Sequence, residues 1–136
     1  MKLEDQVASL ELCKRLKNWG VRQESAFYWC CADQKDNRWV LLGSGREYYE
    51  KGGSWSVDDF FPESRCAAFN VAELGEMLSV GTLKIYSLKF DSGAGRYWKA
   101  ERNSITDGDK ICIGNTEADA RAKMLIYLIE QGIVKP

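Results

Sequence analysis

The chain has 136 residues, 45% hydrophobic and 29% charged, enough to bury a real core in one globular domain, 1–136, without disulfide staples. Lys and Arg number 19 against 20 Asp and Glu, so the net charge of -1 provides no global field to draw in nucleic acid or an anionic membrane. There is no histidine, which excludes the Ser-His-Asp triad, the Cys-His pair, the Cys2His2 finger and the HExxH zinc helix together.

The opening stretch MKLEDQVASLELCKRL carries acids at Glu4 and Asp5 and lacks the apolar core of a signal peptide. No window approaches the roughly 20 apolar residues of a membrane span. A cytoplasmic location without membrane partners is therefore expected. The five cysteines, Cys13, Cys30, Cys31, Cys66 and Cys112, are odd in number and scattered through apolar segments, which predicts reduced thiols.

The first predicted helix spans 5–19: at 100° per residue Leu10, Leu12, Cys13, Leu16 and Trp19 share one arc, and Glu4, Glu11, Lys14, Arg15 and Asn18 lie opposite. Gly20 supplies a left-handed cap, with Val21 folding back on the last turn. AFYWCCAD (26–33) and RWVLLG (38–43) read as a β-hairpin turning at Asp36 and Asn37. SGREYYEKGGSWSVDDFFPES (44–64) shows no sustained period and reads as a long loop, of the kind that is functional or mobile in a compact domain.

Cys66 to Phe69 suggest a short strand, and Asn70 with Glu73 makes a capping box for a helix over about 71–78, whose inward face is Val71, Leu74 and Leu78. TLKIYSLKF (82–90) and RYWKAERN (96–103) flank DSGAG as a second hairpin. KICIG (110–114) follows the Asp107-Gly108 turn signal as a further strand. Thr116 caps the last helix, with Asp119 at its third position, an inward stripe of Ala118, Ala122, Leu125, Leu128 and Ile129, and a stop at Gly132. The expected fold is α+β, a two-layer sandwich of an antiparallel sheet of about five strands with three helices, in the order α-β-β-loop-α-β-β-β-α. A β-β-α arrangement occurs twice, around 26–78 and 82–131, which raises a duplication without matching residues.

Cys30 and Cys31 invite a chemical reading, but successive strand residues point to opposite faces and cannot easily grip one ion, and the chain has no CxxC. Both read as small apolar strand residues that should differ in exposure, and no metal, cofactor or catalytic residue is assigned. The GSG at 43–45 and GAG at 93–95 continue into neither GxGxxG nor GK[ST] and read as turns.

Two surfaces stand out. Tyr48, Tyr49, Trp55, Phe60 and Phe61 crowd into the long loop beside Glu47, Glu50, Asp58, Asp59 and Glu63. Such rings serve either as anchors for a protein partner or as a lid folded onto the core, and Asp58 with Asp59 lacks the spacing of a calcium loop. In the second hairpin, Lys84, Lys89, Arg96, Lys99 and Arg102 interleave with Tyr86, Tyr97 and Trp98, a pattern used by single-strand nucleic-acid binders and also common on solvent-facing strands.

The stretch GNTEADARAKMLIYLIEQGIV, with CAAFNVAELGEML before it, resembles a pattern in small uncharacterised phage and prophage proteins, in which a strand runs into a capped, alanine-rich helix ending in glycine. The last helix also looks like the end of HicB-type antitoxin domains, although the preceding strands depart from that pattern. The resemblance covers about a third of the chain and implies a mobile-element origin and an α+β fold; it carries over no site residue. The function expected is a non-enzymatic protein-binding module using the 46–63 loop. The alternatives are a nucleic-acid-binding module using the 84–102 hairpin, and an enzyme with a carboxylate or cysteine centre.

Overall fold

The computed structural model describes residues 2–46, 48–50, 53–79, 85–92, 95–102 and 109–136, and at 48–50, 85–92 and 95–96 the backbone alone. Four α-helices are described, α1 (Leu3–Gln6), α2 (Leu10–Asn18), α3 (Val71–Leu78) and α4 (Glu117–Glu130). Eight strands are described: β1 (Phe27–Asp33), β2 (Arg38–Gly43), β3 (Tyr48–Glu50), β4 (Gly53–Trp55), β5 (Arg65–Ala67), β6 (Ile85–Ser92), β7 (Gly95–Arg102) and β8 (Lys110–Gly114). The α+β class holds, but the expected five-stranded sheet is replaced by two three-stranded antiparallel sheets, β2-β1-β5 and β6-β7-β8, and a two-stranded ribbon, β3-β4. The expected element order changes with it.

The N-terminal helix expected over 5–19 is interrupted. Val7 forms an isolated antiparallel bridge with Asn70, and the Ala8 N–H donates to Phe69 O at 2.9 Å, so three residues run extended between α1 and α2. From Leu10 onward the expected stripe forms: Leu12, Cys13 and Leu16 are buried, whereas Trp19 is 45% exposed and lies outside the core. Gly20, at φ +89°, ends α2 as anticipated. Its N–H donates to Lys17 O and the Val21 N–H to Leu16 O, and Val21 folds back buried.

β1 and β2 pair as the predicted hairpin, Cys30 opposite Val40 and Cys31 opposite Trp39, turning at Asn37 in the left-handed region, φ +50°. β5 adds to the other edge of β1, with Trp29 opposite Cys66, so β1 is the central strand of the first sheet. Trp29 faces the main core and donates its indole N–H to Ala8 O at 3.1 Å. Cys30 faces a second, smaller core with Leu42 and Val57.

The 44–64 segment is not a structureless loop. It holds the β3-β4 ribbon, with Tyr48 opposite Trp55, followed by two 3-10 turns at Val57–Asp59 and Pro62–Ser64. Glu47, Lys51 and Gly52 lie outside the described residues, as do Lys84 of the second hairpin and the Asp107-Gly108 turn signal.

The helix predicted over 71–78 and the strand predicted over 110–114 are found with those bounds. Asn70 and Glu73 form the capping box: the Glu73 N–H donates to Asn70 Oδ1 at 2.8 Å and the Asn70 N–H to Glu73 Oε1 at 2.9 Å. α4 starts at the Thr116 cap and ends at Gly132, φ +71°. Its buried surface is wider than the expected stripe, taking in Ala120, Met124 and Ile126 as well, because α4 is sandwiched between the second sheet, α3 and α2. The two β-β-α units are not topological copies: the first places its earliest strand in the middle of the sheet, and the second is a simple meander. No helix among the described residues is long and apolar enough to cross a membrane.

Candidate functional site

The aromatic segment separates into an inward and an outward part. Val57 is buried against Cys30 and Leu42, and Phe60 packs onto the same cluster beside Val40 and Tyr28. Trp55, half-buried, meets Phe60 edge to face with ring centroids 6.2 Å apart. These three residues are the lid on the second face of the first sheet. Phe61 turns the other way and is 73% exposed, the most exposed large apolar side chain among the described residues. Tyr48 and Tyr49 belong to β3, and their side chains lie outside the described atoms.

The backbone that presents Phe61 is pinned on both sides. The Phe60 N–H donates to Val57 O at 3.2 Å, closing the first 3-10 turn, and the Ser64 N–H donates to Phe61 O at 2.8 Å, closing the second. Arg65 Nη1 donates to Val57 O at 2.9 Å. Lys17 Nζ reaches across from α2 to donate to Pro62 O and, at 2.7 Å, to Arg65 O. Two cations thus add side-chain donors to the backbone carbonyls of these short turns and tie them to α2 and β5.

Asp58 and Asp59 do different things. The Asp59 carboxylate caps the first turn, accepting from the Ser56 N–H at 2.7 Å and Ser56 Oγ at 3.3 Å. Asp58 projects into solvent, its side chain 99% exposed and 3.7 Å from Arg65 Nη1. A shared cation site at this pair is thereby disfavoured, and among the described residues no group of three or more Cys, Asp or Glu could hold a metal ion.

The basic hairpin does not present one basic-aromatic face. Trp98, Ala100 and Arg102 form the row of β7 turned toward the helices: Trp98 packs on the main core, Ala100 is fully buried and Arg102 is 7% exposed. Lys99, on the opposite face, pairs with Glu101 at 3.6 Å. By register Lys89 stands opposite Trp98, Arg96 opposite Asp91 and Tyr86 opposite Glu101, which divides the basic residues between the two faces. The sequence pattern of alternating charge and ring is therefore split by the strand period.

The thiols are packing groups. Cys30 is fully buried and Cys31 half-buried on the opposite face, the expected difference between strand neighbours. Burial pushes the Cys13 and Cys30 thiols up to about 12 and the Cys66 thiol to about 11, and raises that of Cys112. Thiols so placed stay protonated at neutral pH and are poor nucleophiles.

A cleft of about 610 Å³ was not anticipated from the sequence. Val71 at the start of α3 lies beside Arg121, one turn into α4, while Met77 near the end of α3 shares a hollow with Leu125 and Ile129. The two helices therefore run parallel, and their starts converge. Between them and β7 the cleft is walled by Phe27, Tyr97 and Trp98, with Val71 and Ala72 as its apolar side. Asp5, Gln6, Asn70, Asn115, Thr116 and Glu117 supply the polar rim. The two capping motifs were the sequence signal; that both caps open onto one cleft is a consequence of helix pairing, which no local pattern encodes. No protein family, curated protein or solved structure matches the chain.

Proposed function

We propose that this chain is a non-enzymatic module that binds another protein through the 53–63 segment, with Phe61 as the anchor. The observation that supports this is the contrast between neighbours: Phe60 is spent on the core, while Phe61 is held 73% exposed on a backbone pinned by Lys17 and Arg65. Seating such a ring in a partner's pocket contributes roughly 1.5–3 kcal/mol, and a fixed backbone lowers the ordering cost of doing so. Exposed Asp58, Asp59 and Glu63 flank Phe61 in the chain, favouring a partner whose pocket is bordered by Lys or Arg. The mobile-element setting implied by the resemblance of α3 and α4 to phage and prophage proteins belongs to the same reading.

Affinity capture from the source cell tests it. A partner retained by the wild-type chain is lost with Phe61→Ser, while the thermal midpoint stays within about 1 °C, as expected for a surface substitution. Equal capture by both proteins overturns the reading.

A further inference from the structure

The cleft between the starts of α3 and α4 is separate from the Phe61 surface and shares no residue with it. Its size falls within the range of small-group binding sites. Its chemistry has two components. Phe27, Tyr97 and Trp98 bring π faces, and the only formally charged side chains among the described lining residues are the carboxylates of Asp5 and Glu117.

Converging helix starts would ordinarily favour an anion, but both are already answered from within. The Glu73 carboxylate accepts from the Asn70 and Ala26 N–H groups at the start of α3. At the start of α4, Asp119 lies in the first turn and its own N–H donates to Thr116 Oγ1. Four carboxylates, Asp5, Glu73, Glu117 and Asp119, stand at this end of the helix pair. Arg121 pairs with Glu117 at 3.0 Å and offsets one of them. Among the described side chains here carboxylates outnumber cations, which favours a cation, and the rings add to that preference.

We propose that this cleft receives the side chain of an arginine or lysine from a partner polypeptide, its aliphatic stem against Val71 and Trp98 and its charged head toward Asp5. The test is a titration of the 15N-labelled protein with N-acetyl-arginine N-methylamide, followed by amide shifts. The neutral isostere N-acetyl-citrulline N-methylamide and the free amine agmatine are run in parallel. The arginine derivative is expected to shift the amides of Asn70, Val71, Asn115 and Thr116. Its affinity should exceed that of the citrulline derivative by about tenfold and fall about threefold in Asp5→Asn, a variant at an exposed position. Equal binding of the arginine and citrulline derivatives, unchanged affinity in Asp5→Asn, or no shift of these amides overturns the proposal. Agmatine binding more tightly than the residue-like derivative also overturns it, by assigning the cleft to a free amine. Phe61→Ser is expected to leave this titration unchanged, so it succeeds or fails independently of the Phe61 surface.

Discussion

Asp119 Oδ1 accepts a hydrogen bond from the Ser9 backbone N–H at 2.7 Å, joining residues 110 apart in the chain. Ser9 is the N-cap residue of α2 and makes no side-chain cap of its own, so a carboxylate from the first turn of α4 satisfies that helix start instead. Asp119→Ala strands the half-buried Ser9 N–H, and a loss of about 1–2 kcal/mol is expected in urea unfolding. Asp119→Asn keeps an oxygen acceptor and is expected to lose less than half as much. Equal losses in the two variants would show that charge, not the hydrogen bond, is what the position supplies.

Gly114 ends β8 directly beneath the first turn of α4. A Cβ there would lie 2.6 Å from the Ala120 nitrogen and 2.9 Å from Asp119 Cβ, and the obstruction is largely backbone. Gly114→Ala should therefore push α4 off the second sheet, at a cost of about 1–3 kcal/mol. Gly75 is the useful control. A Cβ at that position meets only the end of the Arg121 side chain, at 2.6 Å, which can swing aside, and a helix interior favours Ala over Gly by up to about 1 kcal/mol. Gly75→Ala is expected to change stability by less than Gly114→Ala in the same denaturant titration.

Features set by interactions within a few residues could be read from the sequence. The Asn70–Glu73 box, the Thr116 cap and the glycine stops at Gly20 and Gly132 each close a bond over three to five positions, and α3 and α4 follow from them. The break at Val7–Ser9 is hidden because its cause is more than 60 residues away, in the bridge to Asn70 and the bond to Phe69. Likewise, β5 occupies the edge of β1 that a later strand would need to extend the first hairpin, and a three-residue strand carries no record of its partner. In the candidate site, composition marked the aromatic segment but could not separate Phe60 from Phe61. The turn closed by the Phe60 N–H onto Val57 O separates them, by fixing which of the adjacent rings meets the core.

That separation has a direct consequence for stability. Phe60→Ala removes a ring from the small core of Cys30, Leu42 and Val57 and leaves Trp55 without its edge-to-face neighbour, so a loss of about 1–3 kcal/mol is expected. Phe61→Ala should stay within about 0.5 kcal/mol of the wild type. Thermal melts of the two single variants decide the matter, and similar losses in both would mean that Phe61 has a packing role its exposure does not reveal.

The buried thiols give the chain an alkaline limit. Below pH 9 a thiol is protonated in both the folded and unfolded states and contributes no pH dependence. Above it, the unfolded chain releases the proton at the ordinary value of 9.0, while Cys13 and Cys30 hold theirs to about 12 and Cys66 to about 11. The unfolded state then binds fewer protons than the folded one, and stability falls as pH rises, by about 1.4 kcal/mol per pH unit for each thiol. The contribution of one thiol is isolated by difference. Cys13→Ala, although less stable at pH 7 through the lost sulfur contacts, should lose stability less steeply between pH 9 and 11 than the wild type; parallel curves would refute the assignment. The same burial predicts the labelling pattern at pH 8. Half-buried Cys31 reacts first with a disulfide reagent, and the four buried thiols, Cys13, Cys30, Cys66 and Cys112, follow only at the rate of unfolding.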